Sequence, residues 1–178
     1  MSLANALSVA RLMLAVPIAW IGLATPYADE RYALALGCFA LGMVTDVLDG
    51  KVARQRGVTL LGATLDPVAD AVLILAALFP LALLVPTIAA AFIVLVVRDA
   101  FVLDLRLRLA RNGVALPAVP ASKAKTAFLD AACASLLLAV ATWSYVFLAV
   151  GYAALAVGVF LSLTSALRYF ARARAAHA

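Results

Sequence analysis

The segment Leu60–Leu84, LLGATLDPVADAVLILAALFPLALL, sets two opposed features side by side. From Ala71 onward no side chain in it carries a charge or a hydrogen-bonding group. Near its start stand Asp66 and Asp70. An apolar run of about 20 residues matches the ~30 Å of hydrocarbon in a bilayer. No water is available there, so backbone groups must bond within the segment, and a helix is predicted. Residues four apart share one helix face. The segment therefore reads as a membrane helix with two carboxylates on one face.

Five more stretches of the same kind flank it, roughly Leu7–Ala24, Tyr32–Leu48, Ile88–Leu105, Thr126–Thr142 and Tyr145–Tyr169. Turn-rich or proline-containing segments separate them, among them TPYADE, Val85-Pro86-Thr87 and RNGVALPAVPASK. The first stretch has no basic region ahead of it and holds Arg11, so it reads as a span rather than a cleaved leader. The expected fold is all-α: one integral membrane domain, residues 1–178, with six transmembrane helices.

Composition agrees. Of the 178 residues 67% are hydrophobic and 13% charged, and the mean hydropathy is +1.12. Soluble domains carry about 25% charged residues, so a water-soluble globule lacks the polar groups to coat it. A nucleic-acid-binding surface domain is excluded on the same ground. Cys38 and Cys133 lie in apolar runs and read as small core residues, not as a disulfide framework. Thirteen of the fourteen Lys and Arg residues fall on one side of the expected topology, with Arg31 alone opposite. That bias predicts a multi-pass protein of the cytoplasmic (inner) membrane, with both termini and the site on the cytoplasmic side. Trp20, Trp143 and Tyr145 fall at span ends, as an interfacial belt does. Gly151 and Gly158 are expected to permit close helix packing, at a dimer contact or within the chain.

The acids decide the function. Asp46 and Asp49 are three apart at the end of the second stretch, and Asp66 and Asp70 are four apart in the third. Each pair shares a face, and the two consecutive helices form a plausible antiparallel pair on which the faces converge. Four carboxylates in a low dielectric repel one another and need a cation. Oxygen ligands without sulfur or imidazole suit Mg²⁺ or Mn²⁺. Four exceed what one small ion takes from protein, so two divalent cations are expected. Gly50, Ala53 and Gly62 leave room beside them, and Arg54 offers a forked donor for phosphate. The set describes a diphosphate site. A bare D-x-x-D is weak and more often chance or capping, and intramembrane acids also serve proton relays and cation pathways. A divalent-cation transporter would continue its polar residues across the bilayer, and the outer halves of these helices are almost wholly apolar.

The complete string, D46-V-L-D49-G50-K-V-A53-R54, then seven residues, then G62-A-T-L-D66-P-V-A-D70, resembles the signature of the CDP-alcohol phosphotransferase family. The family pattern is D-x2-D-G-x2-A-R, a spacer usually near eight, then G-x3-D-x3-D. Finer features look like its phosphatidylglycerophosphate synthase branch, which bacterial cardiolipin synthases also approach. These are N5-A-L-S8-V-A-R11, L65-D66-P67-V68-A69-D70, R98-D99 and S122-K123-A-K125-T126. Ala71, Asp99, Ser8 and Ser122 depart from that branch's usual residues and bear on the acceptor rather than the reaction.

The resemblance implies six transmembrane helices, a homodimer among membrane lipid, and transfer of a phosphatidyl group from CDP-diacylglycerol to an alcohol with release of CMP. It implies that Asp46 and Asp66 touch both ions, Asp49 one and Asp70 the other, with Asp70 also the general base. Asn5, Gly50, Ala53 and Arg54 fall to the nucleotide donor. Thr59 is a weaker candidate for the donor, with helix capping as the plain alternative. Arg98, Lys123, Lys125 and Arg106 are candidates for an acceptor phosphate, although anchoring against anionic lipid is the favoured account of Arg106. The acceptor expected first is glycerol 3-phosphate; phosphatidylglycerol, as in cardiolipin synthesis, is the alternative. Asp130, deep in the fifth stretch, either pairs with a cation or reaches the site.

Overall fold

A computed structural model describes residues 3–24, 29–56, 60–111 and 120–175. They form six helices, α1 (Leu3–Ala24), α2 (Asp29–Arg56), α3 (Leu60–Leu84), α4 (Pro86–Arg111), α5 (Pro120–Thr142) and α6 (Tyr145–Ala175), and among the described residues there is no strand. All six expected stretches are helical. Four run on past their apolar part, α2 to Arg56, α4 to Arg111, α5 back to Pro120 and α6 to Ala175. These extensions carry ten of the fourteen Lys and Arg residues.

The junctions follow local chemistry. Val85 alone separates α3 from α4: its N–H closes α3 on the Leu81 carbonyl (3.0 Å) and its carbonyl accepts the first bond of α4 from Ala89 (3.0 Å). Pro86, with no N–H to satisfy, opens α4. Between α5 and α6, Trp143 adopts a left-handed φ of 52°, and the Ser144 N–H reaches back to the Ala139 carbonyl at 3.2 Å. That is the Schellman closure, with tryptophan where glycine is usual.

Membrane-spanning character is clearest in three segments, Asp66–Leu84, Ala124–Thr142 and Tyr145–Ala171, each long and apolar enough to cross a bilayer; Ala6–Ile21 is a shorter apolar helix. Charged residues inside α2 and α4, among them Asp46, Arg98, Asp99 and Asp104, dilute those helices. The chain is a helical membrane protein.

The core lies mid-bundle. Ile18 of α1, Phe39 of α2, Leu78 of α3, and Leu129, Leu136 and Leu137 of α5 are fully or almost fully buried. Gly151 and Gly158 pack α6 against α5: a Cβ there would stand 2.7 Å from Leu136 Cγ and 2.6 Å from Leu129 Cδ2. Their closeness serves this chain's own helix pair. Cys38 and Cys133 are both free thiols, as expected.

α1 packs extensively on both α2 and α3, whereas α2 and α3 touch each other only sparsely. The acid-bearing helices are thus joined through α1 rather than packed as a simple antiparallel pair. The N-terminal parts of α1, α3 and α5 meet the C-terminal parts of α2, α4 and α6, so the buried charges collect at one end of the bundle. A Thr87–Tyr152 hydroxyl pair (3.3 Å) lies toward the other end.

Candidate active site

The site begins with Arg11. It lies on the same face of α1 as Ser8, three residues earlier, and both are fully buried. Arg11 Nη1 donates to Asp70 Oδ1 of α3 and stands 3.2 Å from Asp46 Oδ1 of α2. Ser8 Oγ donates to Asp66 Oδ1, also on α3. One helix face thus holds acids from two others. Asp46 and Asp70 remain partly exposed, on an opening that Thr126 and Asp130 of α5 also line, with Gly42 and Leu73 forming its apolar wall. Gly42 matters for that wall, because a Cβ there would lie 2.5 Å from Leu73 Cδ2.

Of the four carboxylates expected to converge, Asp46 and Asp70 come to one opening, which Asp130 also lines, while Asp66 is held by Ser8 of α1 rather than in the lining. Sequence reasoning did not assign Ser8 and Arg11 to the site. Their i, i+3 spacing within an apolar run was the available signal, the same one that marked Asp46 and Asp49. Asp49, Gly50, Ala53 and Arg54 ride on the last turns of α2, Asn5 on the first turns of α1, Arg106 on α4 and Lys123 on α5. The side chains of these residues, and Thr59 altogether, lie outside the described residues.

A second buried charge cluster joins α4, α5 and α6. Arg98 Nε donates to the Ser162 carbonyl (3.0 Å), Nη1 to Asp99 Oδ1 (2.5 Å), and Nη2 to Ser165 Oγ. Lys125 Nζ reaches the same Asp99 Oδ1 at 3.3 Å. Arg98 and Lys125 are both buried, so two cations face one carboxylate. The Arg98 guanidinium is fixed on α6, while the ammonium of Lys125 has further donors. Lys125 directly precedes Thr126, so this cluster and the acid-lined opening adjoin along α5. Arg108 belongs to neither; it forms an exposed pair with Asp104 on α4 (2.8 Å).

As a metal site, the chemistry of the donors fits. Asp46, Asp66 and Asp70 offer only carboxylate oxygens, the hard donors that Mg²⁺ and Mn²⁺ prefer. Two of them already direct an oxygen at one cationic nitrogen. Among the described residues no three acidic, histidine or cysteine side chains gather closely enough to hold a metal ion.

Several known proteins are similar to this chain. A 72-residue segment is 43% identical to "Cardiolipin synthase (CMP-forming)" of Rattus norvegicus, covering 39% of this chain and 22% of that protein. The chain thus spans only about a fifth of the first relatives it matches. Over 128 residues it is 35% identical to a Mycobacterium tuberculosis protein named "Probable phosphatidylglycerophosphate synthase", covering 70% of this chain and 60% of that one. Over 183 aligned residues it is 33% identical to "CDP-diacylglycerol--glycerol-3-phosphate 3-phosphatidyltransferase" of Bacillus subtilis, covering 96% and 94% of the two chains. The model of one family, described as CDP-alcohol phosphatidyltransferase, matches residues 1–164, which include every acid of the opening and both buried arginines. On that match the chain belongs to the CDP-alcohol phosphatidyltransferase family.

Proposed function

We propose that this protein transfers a phosphatidyl group from CDP-diacylglycerol to the hydroxyl of glycerol 3-phosphate, releasing CMP. The observation that carries the reading is the adjacency of two buried clusters of opposite charge balance. One has excess carboxylate on α2 and α3; the other has excess cation on α4 and α5. An acid-rich site suits divalent ions holding a diphosphate, and a base-rich neighbour suits the phosphate of the acceptor. The near-full-length match to the Bacillus subtilis protein supports the same acceptor.

In this reading Asp46, Asp49, Asp66 and Asp70 hold two divalent cations, Mg²⁺ or Mn²⁺. Bound there, such ions neutralise the diphosphate and the departing CMP oxygen. Asn5, Gly50, Ala53, Arg54 and Thr59 receive the nucleotide head. Lys125, with Lys123 and Arg106, draws the acceptor phosphate, while Arg98 contributes a fixed positive charge. The acceptor oxygen attacks the phosphorus that bears the diacylglycerol. The bond from that phosphorus to the CMP oxygen breaks, and Asp70 takes the hydroxyl proton. The chain acts as a single six-span domain and as a homodimer in the cytoplasmic membrane. Its termini and site face the cytoplasm, where the nucleotide is soluble and the acyl chains stay in lipid.

The segment match to the rat cardiolipin synthase favours one second reading, phosphatidylglycerol as acceptor. Purified protein in detergent with Mn²⁺ and CDP-diacylglycerol separates the two. CMP release with glycerol 3-phosphate is the expected result. Release with phosphatidylglycerol alone assigns the second acceptor, and release with neither refutes the transferase reading.

A further inference from the structure

Arg11 is fully buried, and its Nη1 stands between Asp46 Oδ1 and Asp70 Oδ1. A guanidinium keeps its charge at any accessible pH. It therefore occupies the place where carboxylates from α2 and α3 aim at a common cation. A divalent ion joining the same two helices needs the same oxygens, and two cations at contact distance repel strongly. For the ion to bind, the guanidinium must turn aside. An acid is available for it: Asp130 of α5 lines the same opening and makes no hydrogen bond or ion pair among the described residues.

We propose that Arg11 is an exchangeable internal counter-ion, which bridges Asp46 and Asp70 until a divalent cation binds and then transfers its ion pair to Asp130. The inference rests on the reading of Asp46 and Asp70 as metal ligands. Arg11 is a positioning residue here, since it acts through the carboxylates and touches no reacting atom. Its α1 backbone stays in place, and only the long side chain changes partner. Ser8 on Asp66 keeps α1 attached to α3 throughout.

The exchange sets the sign of the metal-affinity changes, which a purely structural arginine would not. Free Mn²⁺ would be followed by electron paramagnetic resonance during titration of the purified full-length protein, without substrate. Changes in residues that support metal ligands move affinity by about 10–100-fold. Arg11→Gln removes the competing charge, so Mn²⁺ should bind about tenfold more tightly. Asp130→Asn removes the second partner of the guanidinium, so Mn²⁺ should bind several-fold more weakly. In the double variant, Asp130→Asn should add nothing to Arg11→Gln, because no guanidinium is left to relocate.

Unchanged or weakened Mn²⁺ binding in Arg11→Gln overturns the exchange, as does an Asp130→Asn effect that persists in the double variant. Should Arg11→Gln fail to fold, Asp130→Asn decides alone, and wild-type affinity in it overturns the exchange. Asp46→Asn separates the two levels. If it abolishes Mn²⁺ binding while the Arg11 and Asp130 variants bind as wild type, the exchange alone fails. If it leaves Mn²⁺ binding intact, the metal-ligand reading fails and the exchange with it.

Discussion

Arg11 and Arg98 are both buried arginines of this bundle, and they are held in opposite ways. Arg11 is outnumbered: it pairs with Asp46 and Asp70 and lines the same opening as Asp130, and its ion pairs join three helices. Arg98 is the majority charge: with Lys125 it faces Asp99 alone, and a backbone carbonyl and a serine hydroxyl of α6 complete its bonds. Burying a guanidinium is costly unless its charge is paired, and both are paired with carboxylates. What differs is the leftover charge, negative around Arg11 and positive around Arg98. The first favours binding a cation and the second an anion.

Breaking the acid side should have the largest effect. Asp70→Asn removes both a ligand and the proton acceptor, and CMP release should fall by about 10³-fold or more. Near-normal turnover would place the chemistry elsewhere. Next is the strut of the basic side. Arg98→Ala leaves Asp99 with one partner and removes the donor that ties α4 to the Ser162 carbonyl and the Ser165 hydroxyl of α6, at a cost of about 3 kcal/mol. Thermal unfolding in detergent should register this as a clear loss of stability, and an unchanged midpoint would deny Arg98 its structural role.

Lys125→Gln tests the anion preference itself. The KM for glycerol 3-phosphate should rise about tenfold, near 1.4 kcal/mol, with kcat little altered. A fall in kcat at constant KM would instead assign Lys125 to the transition state. At the small end, Asp104→Asn breaks an exposed pair on α4, and stability should change by less than about 0.5 kcal/mol. A larger loss would make surface charge on that helix matter as much as buried charge.

Much of this was legible in the residues. Apolar run length gave six helices at nearly the observed places, because a bilayer admits few alternatives. The i, i+3 and i, i+4 spacings led to carboxylates on shared faces, and of these Asp46 and Asp70 both reach Arg11, while the side chain of Asp49 lies outside the described residues. The sequence could not say which helix lies between them. Arg11 counts among the basic residues of one membrane side, and its spacing from Ser8 within an apolar run hints at burial without naming partners that are distant in sequence. The same limit hid Ser162 and Ser165, which look like ordinary polar residues of α6 until Arg98 is seen against them. Asp130 stayed ambiguous because its neighbours come from α1, α2 and α3. Gly151 and Gly158 signalled close packing correctly but not the partner, which is α5.

The arginine on the first helix also constrains synthesis. Asp70, which neutralises it, lies 59 residues further along. At translation speeds of about 5–20 residues per second, that acid emerges roughly 3–12 s later. Until Asp46 of the second helix and then Asp70 arrive, the nascent α1 carries an uncompensated charge, which can stay hydrated by reaching up to the lipid headgroups. Maturation must then draw it inward as the third helix arrives, so the order of insertion is written into the ion pair.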